Sequence, residues 1–217
     1  MSKDEIEYLS YIAVKTLLDN KHVRFGDNTV KNAYQISNTP TLDYLLFSKL
    51  KEVRDIFCNP GIIPYYAYCR YYLKDTELTR HKDNAALRYT VTVNLFQTHP
   101  YQIMITDPDT GRNLAFTQLP GDALAIEGTE VTHWRDPYEG CLYVQVFLHY
   151  MDADSPYADK AIRLRDYGKD VDFLKTTIES MVEREKLEGD KKVDRVRILR
   201  RSEDTEYQGC KRLLYKI

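Results

Sequence analysis

At 217 residues, with 31 Lys and Arg against 33 Asp and Glu and a net charge of −2, the chain has room for one well-buried core. It has no charge excess that would make nucleic acid or a membrane surface its main partner. No stretch approaches the ~20 apolar residues of a membrane-spanning helix, and the opening Met1-Ser2-Lys3-Asp4-Glu5-Ile6-Glu7 is acidic and polar, unlike a secretory signal.

Residues 2–20 read as an amphipathic helix. Ser2-x-x-Glu5 is a capping-box pattern, and Ile6, Leu9, Ile12, Ala13 and Leu17 recur at helical spacing. Residues 22–37 are polar and mixed, with a short strand around His22–Arg24. Asn38-Thr39-Pro40-Thr41 marks a second helix start, with proline in the first turn. Leu42, Leu45, Leu46, Leu50, Val53, Ile56 and Phe57 then form an apolar stripe that stops at Asn59-Pro60-Gly61.

From residue 62 the pattern turns to β. Ile63–Tyr72 is aromatic-rich, Leu87–Leu95 alternates, and Tyr101–Thr106, Asn113–Gln118, Ala123–Glu127 and Cys141–Met151 follow between turn signals such as Asp107-Pro108-Asp109-Thr110-Gly111 and Pro120-Gly121-Asp122. Short strands with frequent turns and no intervening helices predict an antiparallel sandwich, jelly roll or barrel. The 18 tyrosines suit half-buried strands and polar-lined pockets. Farther on, residues 169–187 carry helical spacing, and Val193–Leu199 and Cys210–Ile217 are strand-like. Arg195, Arg197, Arg200 and Arg201 are interleaved with acids, as on a solvated face. The chain thus divides into a helical support segment (1–60), a β core (61–158) and a helix-and-strand appendage (159–217).

Cys58, Cys69, Cys141 and Cys210 lie far apart, with no C-x-x-C. They read as reduced thiols of a cytoplasmic protein, not as a disulfide frame or a zinc site.

His81-Lys82-Asp83 and His133, within His133-Trp134-Arg135-Asp136-Pro137, carry the chemistry. Side chains two apart on an extended strand point the same way, so His81 and Asp83 can reach one metal while His133 arrives from another strand. Two histidines and one carboxylate on one face leave open positions and suit non-haem Fe(II) that handles O2. On their own the three residues also fit solvated loop positions and a structural histidine. His22 and His99 have no partner pattern, and Trp134 reads as a core residue.

Further segments in register with these carry a resemblance. Tyr68-Cys69-Arg70-Tyr71-Tyr72, Leu78–Asp83, Pro120-Gly121-Asp122-Ala123, His133–Pro137, Gly140 and Val144–Tyr150 together resemble the prolyl-4-hydroxylase-like branch of the 2-oxoglutarate/Fe(II) dioxygenases, over about residues 38–158. The resemblance implies a double-stranded β-helix of the jelly-roll or cupin-like type with flanking helices. It implies His81, Asp83 and His133 as iron ligands. It also implies a hydroxylase that consumes O2 and 2-oxoglutarate, releases succinate, and acts on a peptidyl (prolyl-like) or small-molecule substrate. Halogenating relatives replace the carboxylate ligand with a small residue, so Asp83 favours hydroxylation.

The chain departs from that pattern in one respect. The Lys or Arg expected nine or ten residues after the distal histidine is here Leu142 or Tyr143. Arg135 is the expected substitute, since a guanidinium binds a carboxylate bidentately; pairing with a surface acid is its alternative. Tyr72 stands where related hydroxylases place a cosubstrate-binding tyrosine. Arg88 is a further anchor candidate. Gln145 and His149 share a strand face with Tyr143 and Phe147, lining a pocket or packing. The alternative functions are a catalytically silent metal-binding jelly-roll module and a cupin-type enzyme that uses no 2-oxoglutarate.

Overall fold

The capping-box pattern of Ser2 and Glu5 starts α1 (Lys3–Leu18). The Ser2 hydroxyl accepts from the Glu5 amide, and the Glu5 carboxylate accepts from the Ser2 amide. The structure, a computed structural model, describes residues 2–19, 23–27, 29–37, 39–161 and 215–216. The helix predicted over 169–187, the strand over 193–199, His22 and Cys210 lie outside the described residues. No helix among the described residues is long and apolar enough to cross a membrane.

Thr39 caps α2 (Pro40–Ser48), with Pro40 in its first turn, and α3 (Leu50–Ile56) follows after Lys49. The single helix implied by the apolar stripe is therefore two short ones. The stripe runs through both, so periodicity alone does not reveal the break.

Eleven strands are described: β1 (Val23–Phe25), β2 (Ala33–Ser37), β3 (Ile62–Leu73), β4 (Leu78–His81), β5 (Tyr89–Gln97), β6 (Gln102–Thr106), β7 (Asn113–Thr117), β8 (Ala123–Glu127), β9 (His133–Arg135), β10 (Leu142–Asp152) and β11 (Tyr215–Lys216). They form a larger sheet, β1-β2-β3-β10-β5-β8-β11, and a smaller one, β4-β9-β6-β7. Every pairing is antiparallel. This is the mainly β jelly roll with flanking helices that the sequence predicts. β4 and β9 were not legible as strands, because four and three residues are too few to show alternation, and β2 was not, because its buried Ala33 and Ile36 lie three apart.

The long pair β3–β10 organises the molecule. Its outward residues, among them Ala67, Cys69, Tyr71, Val144, Val146, Leu148 and Tyr150, are buried in one core with Leu9, Ala13, Leu42, Leu45, Leu46 and Val53 of the helices. Two tyrosine hydroxyls pin the helices there: Tyr71 donates to the Ala13 carbonyl at 2.7 Å, and Tyr150 to the Leu46 carbonyl at 2.8 Å. The alternate residues Tyr66, Tyr68, Arg70 and Tyr72 of β3 stand opposite His149, Phe147, Gln145 and Tyr143 of β10. This inner face is polar and aromatic. A cavity of about 310 Å³ opens against it, closed on the other side by His133, Arg135 and Ile103 of the smaller sheet.

Candidate metal centre

His81 closes β4 and His133 opens β9, and the two are direct cross-strand partners. Their rings lie 4.4 Å apart between centroids. Asp83 follows two residues beyond β4, where its amide donates to the Gly128 carbonyl at 2.8 Å. That clip brings the carboxylate over the histidines: Asp83 Oδ1 is 3.7 Å from His81 Nε2 and 3.7 Å from His133 Nε2. One ligand atom from each of the three residues lies within 4.8 Å of the others.

The far atoms of these side chains are fixed. His81 Nδ1 lies 2.7 Å from the Thr79 carbonyl and His133 Nδ1 lies 3.0 Å from the Val131 carbonyl. A carbonyl only accepts, so each Nδ1 carries a proton, which fixes the ring and leaves each Nε2 lone pair to face a metal. Asp83 Oδ2 accepts from the Thr90 hydroxyl at 2.7 Å, which leaves Oδ1 to the histidines.

Burial alone disfavours a charged Asp83, but hydrogen bonding from His81 and the neighbouring His149, His133 and Thr90 outweigh it and hold the carboxyl at about 2. Burial pushes His133 below its usual value, partly offset by Asp83. His81 goes the other way: burial lowers it, but its hydrogen bonds to Asp83 and the Thr79 carbonyl raise it further. A proton and a cation compete for His81 Nε2. Metal affinity is therefore expected to fall up to ~tenfold per pH unit below the raised His81 pKa and to level off above it. Calorimetric titration with Zn(II) between about pH 5.5 and 8 reads this directly. An affinity flat across that range would remove His81 from the ligand set.

Arg135 lies two residues past His133 on the same strand and shares its face. It is 2% exposed. Nη1 donates to the Tyr101 carbonyl at 2.7 Å, and Nη2 to Gln145 Oε1 at 3.1 Å, Gln118 Oε1 at 3.3 Å and the Tyr143 hydroxyl at 3.4 Å. The rings of Tyr101 and Tyr143 flank the guanidinium at 4.7 and 5.0 Å. Among the described residues no carboxylate pairs with it. A buried charge served only by neutral partners is costly, and an incoming carboxylate would relieve that cost bidentately. Tyr72 lines the same cavity, with its hydroxyl buried and without a hydrogen-bond partner among the described residues.

Two of the predicted cosubstrate residues stand elsewhere. Gln145 is fully buried behind the cavity wall, where it braces Arg135 and donates to Gln118 Oε1 at 3.0 Å. Arg88 precedes β5 and turns outward; Asp152 takes its guanidinium at 2.6 Å and Glu127 at 3.5 Å, and it does not line the cavity. Trp134 is half-buried beneath the Arg80 guanidinium, 4.3 Å from its ring. His99 is exposed beside Glu139. Thr90, Gln118 and the Arg70–Asp27 ion pair were missed. Thr90 left a signal in the row Thr90, Thr92, Asn94 on a buried strand face; Gln118, in a loop after β7, left none.

No family model and no curated protein sequence matches the chain. Solved structures do. The chain is similar to a Pseudomonas putida prolyl-4-hydroxylase, with a TM-score of 0.61 and 12% identity over 70% of this chain and 88% of that one. It is similar to the Trichoplax adhaerens prolyl hydroxylase in complex with a hypoxia inducible factor oxygen degradation domain peptide fragment (TM-score 0.54, 14% identity, 73% and 81% covered). It is also similar to HygX from Streptomyces hygroscopicus with nickel and 2-oxoglutarate bound (TM-score 0.54, 13% identity, 71% and 80% covered). The chain therefore has the jelly-roll fold of the 2-oxoglutarate–Fe(II) oxygenases, prolyl-4-hydroxylases among them.

Proposed function

We propose that the protein is an Fe(II)- and 2-oxoglutarate-dependent oxygenase that hydroxylates its substrate. One observation carries the reading: the cavity that holds His81, Asp83 and His133 also holds a buried arginine with no acid partner among the described residues. The donor set suits Fe(II), since two imidazoles and a carboxylate leave coordination positions open. The buried Tyr72 hydroxyl, without a partner among the described residues, and the Arg135 guanidinium suit a dicarboxylate that reaches inward from the metal.

With both groups bound, the chemistry supplied is insertion of one oxygen atom of O2 into a C–H bond while 2-oxoglutarate becomes succinate and CO2. The chain contributes placement. His81, Asp83 and His133 hold the ion, and Thr90 keeps Asp83 Oδ2 turned away from it. Arg135 and Tyr72 take the far carboxylate, braced by Gln145 and Gln118. The tyrosine-lined wall keeps water from the reacting atoms.

The neighbours support a peptidyl or a small-molecule substrate alike, one having been solved with a peptide fragment and HygX also with hygromycin B. Free thiols at Cys58, Cys69 and Cys141 suit a reducing compartment such as the cytoplasm.

Anaerobic visible absorption tests the reading. Fe(II) followed by 2-oxoglutarate should give a charge-transfer band in the wild type and none in His133→Ala. Iron bound without that band would point instead to a silent metal-binding module.

A further inference from the structure

His149 sits on the inner face of β10, opposite Tyr66 of β3 and Thr90 of β5. It lines the cavity and is 2% exposed. Its ring is held face-on between neighbours, 4.8 Å from Tyr66 and 5.4 Å from Tyr68 between centroids. Its Nδ1 lies 3.0 Å from the Thr90 hydroxyl, and its Nε2 is buried with no hydrogen-bond partner among the described residues.

The proton positions follow from counting. A threonine hydroxyl has one proton, and an ionised carboxylate only accepts. Thr90 gives its proton to Asp83 Oδ2, so it accepts from His149, and Nδ1 carries the hydrogen. Burial keeps the ring neutral, with its pKa pushed down to about 4. Nε2 is therefore a lone-pair acceptor facing no donor. A buried acceptor left so is unfavourable.

Neither cosubstrate can relieve it. The two carboxylates and keto group of 2-oxoglutarate offer acceptors only, and O2 has no proton to give. Among the reactants only the substrate can supply the donor, with a water as the competing occupant. We propose that His149 Nε2 receives an O–H or N–H group of the substrate, which makes the substrate a polar molecule carrying such a donor close to the carbon that is oxidised. The inference rests on the oxygenase reading and names its substrate chemistry. The ring nitrogen of a peptidyl proline has no hydrogen to give, so such a substrate would have to use a neighbouring amide. Tyr66 and Tyr68, whose hydroxyls make no hydrogen bond among the described residues, line the cavity beside this acceptor.

The test is ¹⁵N NMR of histidine-labelled protein loaded with Zn(II), a redox-silent stand-in for Fe(II), and 2-oxoglutarate. His149 should show a protonated Nδ1 and a bare Nε2. Four probes are then titrated: cyclohexanol against its methyl ether, and N-methylacetamide against N,N-dimethylacetamide. A saturable upfield shift of Nε2 with the donor of either pair, absent with its capped partner, supports the proposal. The responding pair assigns the donor to a hydroxyl or to an amide. A protonated Nε2, or indifference to both donors, overturns it. His149→Phe keeps the ring stack and should keep the Fe(II)–2-oxoglutarate band; loss of the band in the wild type would sink the oxygenase reading instead.

Discussion

Gly128→Ala is expected to weaken metal binding on the order of 100-fold, the upper end of what disturbing the shell around a ligand costs. Gly128 itself offers no ligand atom. A methyl carbon built at this position would sit 2.0 Å from Asp83 Oδ2, 2.8 Å from its Cγ and 2.9 Å from its Cβ. The whole carboxylate, not only its tip, stands in the way. Neither backbone can yield easily, because the Asp83 amide donates to the Gly128 carbonyl at 2.8 Å and the Gly128 amide donates to the Arg88 carbonyl at 2.8 Å. Asp83 must leave Thr90 and swing off the histidines. Calorimetric Zn(II) binding reads the loss, with a thermal melt to show that the fold survives. A variant that binds zinc like the wild type would mean that the turn opens and that Asp83 is not held there.

Arg135→Met is expected to raise the dissociation constant for 2-oxoglutarate by about 30- to 4,000-fold, the range that follows from ~2–5 kcal/mol for truncating one partner of a buried, hydrogen-bonded charge pair. Fe(II) or Zn(II) binding should be unchanged, since Arg135 touches none of the three ligand atoms. Arg135→Lys should recover only part of the affinity, because an ammonium lacks the planar fork. Titrating the charge-transfer band with 2-oxoglutarate gives the constant for each variant. An unchanged constant in the methionine variant would move the anchor to Arg70, the other buried arginine lining the cavity.

That His81 and Asp83 would converge was legible, because side chains two apart on extended chain point the same way. That His81 and His133 would be direct partners across β4 and β9 was not, since strands of four and three residues carry no periodic signal. That Arg135 would share a face with His133 was legible from its spacing. Its bracing was not, because Gln118, Tyr101, Tyr143 and Gln145 come from separate parts of the chain and meet only in the folded barrel. Arg88 misled for a related reason. A strand pattern shows where a side chain can point but not which acids, here Asp152 and Glu127, wait for it outside.

The alternation along β3 and β10 has a consequence for how this protein can change. Residues that hold the helices and residues that shape the cavity occupy the same two strands, one position apart, on opposite faces. A substitution at Val146 or Leu148 alters anchorage of the helices; one at Phe147 or His149 alters what the cavity admits. The two properties are thus separable mutation by mutation. They are inseparable under any slip in strand register, which would exchange the faces wholesale. Selectivity can drift freely only while the pairing of Tyr72 with Tyr143 and of Tyr66 with His149 is kept in step.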